Sequence, residues 1–134
     1  MRMPIVALVP LISALSWIEQ GFAESLNLTR SAKSGLESLI VEERLWDRNC
    51  NALPVTVTIT KIPANGAISV KPEVRSTIPA STPAQGSTGA CAGKQVTGNE
   101  IWYKSNPGFR GTDSVSYNVS SQPQRPRVIT INVE

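Results

Sequence analysis

The sequence contains few side chains that could perform acid–base or nucleophilic chemistry. Its 134 residues include no histidine, so the usual general base for a serine or cysteine nucleophile is missing. A serine–lysine pair is arithmetically possible, but no lysine lies in a recognisable nucleophile motif. The close carboxylates Glu42 and Glu43 would point to opposite faces of a strand. We therefore expect no catalytic residue, and we expect no cofactor because no phosphate-binding glycine loop or metal-spaced cluster occurs.

The two cysteines, Cys50 and Cys91, offer a different kind of chemistry. In an exported chain they most simply form one disulfide, and closing a loop of about 40 residues stabilises a fold by roughly 4 kcal/mol in the chain-entropy model. A reactive free thiol and half of a zinc site are the alternatives. Zinc is disfavoured because no histidine is present and neither cysteine has a second one nearby. We predict the Cys50–Cys91 disulfide.

Aromatic and arginine side chains are the candidates for binding. Trp102 and Tyr103 are adjacent, so on a strand one faces the core and the other faces solvent, where it could grip a sugar or a protein. Trp46 is a further candidate, although the favoured interpretation is that Trp46 and one of the adjacent pair fill the core. Arg125 and Arg127 flank Pro126 before the last strand. They either contact an anionic partner or, as we favour, protect a sheet edge from unwanted pairing.

The amino terminus has the three parts of a secretory signal peptide. Arg2 is followed by an apolar run at 5–18 and by small residues at 21–23. A membrane anchor is the alternative, but 14 apolar residues are fewer than the ~20 that a spanning helix needs. We expect residues 1–23 to be removed, no membrane span to remain, and the protein to be secreted or periplasmic.

The charge of the chain points away from nucleic acid. Removing residues 1–23 takes away Arg2 and Glu19, so the net charge stays at +3. The charges are scattered and no segment carries a basic run, so a nucleic-acid partner is not expected. Residues 24–35 are polar and weakly patterned, which predicts a flexible arm before the folded domain.

Alternating apolar and polar residues predict strands in the rest of the chain. Residues 54–62 and 127–134 alternate valine or isoleucine with polar residues, as half-buried strands do. The Asn65-Gly66 pair suits a tight turn, so residues 54–70 are predicted to form a β-hairpin. Residues 36–46 fit either a strand or one face of a helix, and we interpret them as a strand because the downstream sequence is β-like.

Residues 76–99 are rich in small residues, proline and glycine. They could form a spacer pinned by Cys91, a recognition loop or a sugar-modified surface, and we favour the spacer because a disulfide tethers an otherwise costly loop. Overall, about seven short strands without a convincing helix predict an all-β fold. We expect one antiparallel β-sandwich over residues 36–134, with a closed barrel as the alternative.

The run "NPGFRGTDSVSYNV" at 106–119 predicts a corner leading into a strand. Gly108 and Gly111 permit sharp bends, and Phe109 between them can cover the end of the core. Asp113 opens the strand, where its carboxylate can accept backbone N–H bonds and hold the turn. As a calcium ligand Asp113 would lack acidic partners, so we favour the structural role.

Together with "IWYKSNP" before it and "VITINVE" at the end, this run resembles the bacterial immunoglobulin-like and cadherin-like modules of exported proteins. The resemblance covers residues 54–134 and departs from the family pattern at Val115, where an aromatic residue is usual, and in the spacing of Pro107. Val119 stands where antibody-type domains carry their second bridging cysteine, which is consistent with a bond elsewhere. The residues that match the family pattern are Tyr103, Gly108, Phe109, Gly111, Asp113 and Tyr117.

These observations lead to three functional hypotheses. The first, which the resemblance implies, is an exported, non-catalytic immunoglobulin-like module that binds a protein or glycan or has a structural role at the cell envelope. The second is a small secreted enzyme inhibitor that uses residues 76–99 as its inserted loop. The third, an enzyme of unfamiliar type, is disfavoured by the missing catalytic groups.

Overall fold

The computed structural model describes residues 25–83 and 90–134, so the predicted signal peptide lies outside the described residues. Within these ranges the chain forms no helix, and most of it is in strands. The strands are β1 (Leu26–Ala32), β2 (Glu37–Glu43), β3 (Leu45–Trp46), β4 (Ala52–Leu53), β5 (Val57–Lys61), β6 (Gly66–Thr77), β7 (Gln95–Ser105), β8 (Gly111–Val119) and β9 (Arg127–Val133). The predicted all-β fold is confirmed, and so is the strand interpretation of residues 36–46.

The strands form two main sheets. The four-stranded sheet has the order β1-β9-β8-β5, and the three-stranded sheet has the order β2-β7-β6. The pairing of β1 with β9 is parallel, and the other pairings in these sheets are antiparallel. The short strands β3 and β4 pair only with each other among the described strands.

Both sheets contribute side chains to one buried core. Ile40, Ile101 and Tyr103 come from the three-stranded sheet and pack with residues of β1, β8 and β9. Along β8 and β9 the inward side chains are 0–9% exposed while their neighbours are more exposed, as the sequence alternation predicts. The remaining buried members of this core are Ala32, Val115, Tyr117, Val119, Ile129, Ile131 and Val133.

A second, smaller core surrounds the disulfide. Cys50 and Cys91 are bonded, with their Cα atoms 5.4 Å apart, which confirms the predicted pairing. Ile78, Cys91 and Val96 are buried there, and Trp46 packs against them. The disulfide therefore fastens the β3–β4 hairpin to the connection between β6 and β7.

The predicted arm at 24–35 was wrong for most of its length. Residues 26–32 form β1, which pairs with β9 from Leu26 opposite Arg127 to Ala32 opposite Val133. The sequence does not reveal β1 as a strand, because β1 lies at a sheet edge and its outward side chains are polar. The pairing is made by backbone groups, which the composition does not reveal.

The predicted hairpin at 54–70 was also wrong. β5 pairs with β8 in one sheet and β6 pairs with β7 in the other, so the turn between them crosses from sheet to sheet. Neither Asn65 nor Gly66 has the positive φ that a tight hairpin turn would need. Alternation identified both strands correctly, but it carries no information about which strand each one pairs with.

The irregular part of the segment at 76–99 is shorter than the sequence suggests. Residues 76–77 end β6 and residues 95–99 begin β7. The connection between them is held at its base by two backbone bonds, from the Ile78 amide to the Lys94 carbonyl (2.8 Å) and from the Gly93 amide to the Ile78 carbonyl (2.9 Å). Residues 84–89 of this connection lie outside the described residues.

Candidate binding surface

Asp113 lies at the junction of three elements. It is 5% exposed, and its carboxylate accepts the amides of Ala64 and Asn65, both at 3.0 Å, and the hydroxyl of Tyr103 at 2.9 Å. Its carboxylate thus holds the crossing between β5 and β6 in addition to the start of its own strand. Burial raises the pKa of Tyr103 well above its ordinary range, and the hydrogen bond to Asp113 raises it further.

The hydroxyl of Tyr117 is tied to an acidic side chain. It donates to Oε1 of Glu43 at 2.6 Å, and Nε of Arg127 donates to the same oxygen at 3.1 Å. Burial raises the pKa of Tyr117 well above its ordinary range, with a further contribution from the bond to Glu43. Arg127 is 9% exposed, so its predicted place on a binding surface was wrong. It belongs to β9, an interior strand of its sheet, so its predicted role at a sheet edge was also wrong.

The glycines of the 107–111 bend have the conformation that the sequence predicts. Gly108 has φ 79° and Gly111 has φ 137°, a region that strongly favours glycine. Phe109 between them is half-buried and packs against the main core. The described geometry of this bend is that of a corner.

The predicted binding residues do not form one surface. Tyr103 is 0% exposed in the main core, which excludes it from a surface. Trp46 packs beside the disulfide, and Arg125 is exposed on the connection before β9. Trp102 lies on the outer side of the three-stranded sheet, so the adjacent pair does divide between core and surface as expected.

Trp102 is the centre of an exposed group of side chains that we call the tryptophan face. On the outer side of β7, Trp102 has Leu39 of β2 on one side and Ser69 of β6 on the other. Leu39 is 40% exposed, so an apolar area is open to solvent beside the indole. The other members of the tryptophan face are Glu37, Lys71 and Glu100.

Charged groups fix the indole of Trp102 in place. Its Nε1 donates to Oε2 of Glu100 at 2.6 Å, and the Lys71 ammonium lies 4.1 Å from the ring centroid. Lys71 also pairs with Glu37 across the sheet, at 3.3 Å. Exposed ion pairs and cation–π contacts contribute about 0.5–1 kcal/mol each. These contacts therefore orient the ring of Trp102, but they are weak enough for a binding partner to displace them. Sequence reasoning missed Leu39 and Lys71 because their proximity to Trp102 depends on sheet register.

A groove of about 520 Å³ opens beside this sheet. Its lining consists of residues 52–57, the middle of β6 (Val70, Pro72 and Glu73) and residues 97–99 near the start of β7. The backbone of β6 bulges there, between Lys71 and Val74, and Glu73 has φ 55°. The groove and the tryptophan face occupy neighbouring parts of β6 and β7. The lining of the groove carries one charged residue, Glu73.

Residues 25–83 and 90–134 hold no group of three or more histidine, cysteine, aspartate or glutamate side chains arranged to bind a metal ion. Over the same ranges, no helix has the length and apolar character needed to cross a membrane.

Comparisons of the chain with protein-family models, with curated proteins and with solved structures gave no match. The arrangement of the tryptophan face, with an exposed apolar centre and charged residues around it, is therefore the main guide to function.

Proposed function

We propose that the protein is an exported, non-catalytic immunoglobulin-like module that recognises a protein or glycan partner, or has a structural role, at the cell envelope. The tryptophan face is its recognition surface. The observation that carries the proposal is the position of Trp102, which is half-buried on the outer side of β7, beside the exposed Leu39. Binding energy in protein interfaces concentrates in such aromatic anchors, with charged residues at the rim.

Strand order supports the immunoglobulin-like part of this proposal. If the seven long strands are lettered in chain order, leaving out β3 and β4, the sheets read A-G-F-C and B-E-D. The groupings B-E-D and C-F-G are those of an immunoglobulin constant domain. The difference is that the first strand here pairs in parallel with the last, whereas the constant domain has it beside B.

The disulfide supports export. Disulfides persist in oxidising compartments and are rare where glutathione keeps thiols reduced. The Cys50–Cys91 bond is therefore compatible with a secreted or periplasmic protein, in agreement with the predicted signal peptide.

One observation favours the enzyme-inhibitor alternative. The connection after β6 is clamped at its base by the disulfide and by the backbone bonds of Ile78. A loop held in this way loses less conformational entropy when it binds, which is what an inserted inhibitory loop needs. Shortening residues 80–89 would abolish an inhibitory activity while the rest of the fold remained, whereas binding through the tryptophan face would be unchanged.

Partner capture tests the proposal. The purified exported protein is immobilised and exposed to envelope and medium fractions of its source, and retained molecules are compared between wild type and Trp102→Ala. We expect a partner that wild type retains and Trp102→Ala loses. Retention of nothing by wild type, combined with turnover of a generic ester or glycoside panel, would overturn the proposal in favour of an enzyme.

A further inference from the structure

Three connections meet at one end of the sandwich. They are residues 33–36 after β1, 62–65 after β5 and 106–110 after β7. The Gly35 amide donates to Oγ of Ser105 at 2.8 Å, and the Asn106 amide donates to the Asn65 carbonyl, also at 2.8 Å. Since Asp113 also holds residues 64 and 65, the three connections form one fixed surface.

This surface carries cations that have no partner. Lys33, Lys104 and Arg110 are exposed, and within the described part of the chain none of them makes an ion pair or a side-chain hydrogen bond. We call this surface, with its three cations, the basic end. Lys33 is distant in the sequence from the other two, so the basic end arises from the fold.

Acidic groups compensate the basic end only in part. The backbone of Glu134 bonds to Ala32 and Ser34, which places this residue at the basic end. Its side chain is exposed there. Glu37 is near Lys104 in register but pairs with Lys71. Asp113 is buried and occupied by its own hydrogen bonds. Three cations therefore face one exposed carboxylate that is not already paired.

The same end carries the two most exposed large apolar side chains of the described residues. Ile62 is 74% exposed and Leu36 is 60% exposed. Water-facing leucine and isoleucine are common singly, but here both lie on anchored connections among unpaired cations. A soluble anion would use the cations and leave these apolar side chains in water. A lipid bilayer with anionic headgroups would use both.

We propose that the basic end docks on the surface of an anionic lipid bilayer. Leu36 and Ile62 enter the boundary between headgroups and acyl chains, while the three cations contact lipid phosphates. Amphipathic surfaces bind membranes by this combination of apolar burial and electrostatic attraction. The inference names a partner for the envelope role proposed above and rests on that role for access to such a membrane.

Sedimentation with lipid vesicles tests the inference. The exported protein is mixed with vesicles of phosphatidylcholine and phosphatidylglycerol, or of phosphatidylcholine alone, and the bound fraction is measured over a lipid titration. The first variant combines Lys33→Gln, Lys104→Gln and Arg110→Gln. Its matched control combines Arg75→Gln, Lys94→Gln and Arg125→Gln, which remove the same charge far from the basic end. All proteins carry the same amino terminus, so any contribution from that segment cancels.

We expect wild type and the control to bind the mixed vesicles and to bind phosphatidylcholine poorly. The first variant should lose about fivefold in affinity per cation, or roughly a hundredfold in total. A second pair separates apolar insertion from charge: Leu36→Ser with Ile62→Ser should lose at least about tenfold, whereas Leu53→Ser, an exposed leucine elsewhere, should bind as wild type does.

Equal binding by wild type and the first variant, or an equal loss in its control, would overturn the inference. So would loss in the charge variant without loss in the apolar pair, because that result indicates that the cations contact headgroups without any apolar insertion. Circular dichroism and thermal unfolding of every variant show whether it is folded. If partner capture succeeds through Trp102 while vesicles are not bound, this inference fails and the proposed function stands.

Discussion

The carboxylate of Asp113 accepts the hydroxyl of Tyr103 at 2.9 Å inside the protein, where one residue begins β8 and the other lies near the end of β7. The same carboxylate holds the amides of Ala64 and Asn65, so a single side chain joins both sheets to the turn that crosses between them. The corner motif of the sequence therefore acts on a turn almost 50 residues away.

Asp113→Ala should be among the most destabilising single substitutions. It leaves three backbone amides, those of residues 64, 65 and 114, and the Tyr103 hydroxyl without their acceptor, and hydrogen bonds to charged groups contribute about 1.5–3 kcal/mol each. We expect the free energy of unfolding to fall by about 4 kcal/mol in urea denaturation. Asp47→Ala is the control, since Asp47 also accepts two backbone amides but in an exposed turn, and it should cost about 1 kcal/mol. Equal losses would contradict the role of Asp113.

Both tyrosines of the chain should resist ionisation. Tyr103 and Tyr117 are the two tyrosines of the sequence, and burial raises the pKa of each above the ordinary value of 10.0. In the unfolded chain they ionise near that value, so stability is fully present below about pH 10 and falls as the pH rises further. A spectrophotometric titration should show no tyrosinate until the protein unfolds. Reversible ionisation near pH 10 in the folded protein would contradict this prediction.

Removing the disulfide should weaken the protein substantially. The bond closes a separation of 41 residues, for which the chain-entropy model gives about 4 kcal/mol. Cys50→Ser with Cys91→Ser should lower the free energy of unfolding by that amount. The intact mass of the wild type should rise by two hydrogen atoms on reduction. Two alkylatable thiols in the native exported protein would refute the bond.

Glycine is required at position 66 because the neighbouring atoms leave no room for a side chain. A Cβ atom at Gly66 would lie 2.5 Å from the ring of Tyr103 and 2.7 Å from the Lys104 carbonyl oxygen. Gly66→Ala should therefore destabilise the protein by about 2 kcal/mol through overpacking. At Gly93, where φ is 82° and nothing lies within 4 Å, alanine should cost only about 1 kcal/mol. Thermal unfolding of both variants measures the difference, and an unchanged Gly66→Ala protein would contradict the packing.

Much of the fold follows from the sequence because alternating side chains reveal strands and their buried faces. The inward positions of β8 and β9 were predicted in this way, whereas the cysteine pairing was predicted from the presence of two cysteines in an exported chain. The partners of β5 and β6 were not, since pairing depends on contacts between distant segments such as Asp113 with Ala64. β1 was missed for a related reason, as its edge position leaves polar side chains outward.

The candidate site was less predictable than the fold. Trp102 and Tyr103 were expected to divide between surface and core, but the residue type could not say which would face outward. The neighbours of Trp102 come from β2 and β6, so they could be named only once the register was known. The basic end is hidden for the same reason, because Lys33 lies far in the sequence from Lys104 and Arg110 and only the fold brings them to one end.

The affinity of the captured partner for two variants tests the proposed recognition surface most directly. Trp102→Ala removes the anchor of the tryptophan face, while Thr58→Ala changes an exposed residue on β5 of the other sheet. Calorimetric titration should show a loss of roughly thirtyfold for Trp102→Ala, as expected for an interface hot spot, and no loss for Thr58→Ala. Unchanged affinity in Trp102→Ala, with its fold intact, would contradict the proposed recognition surface.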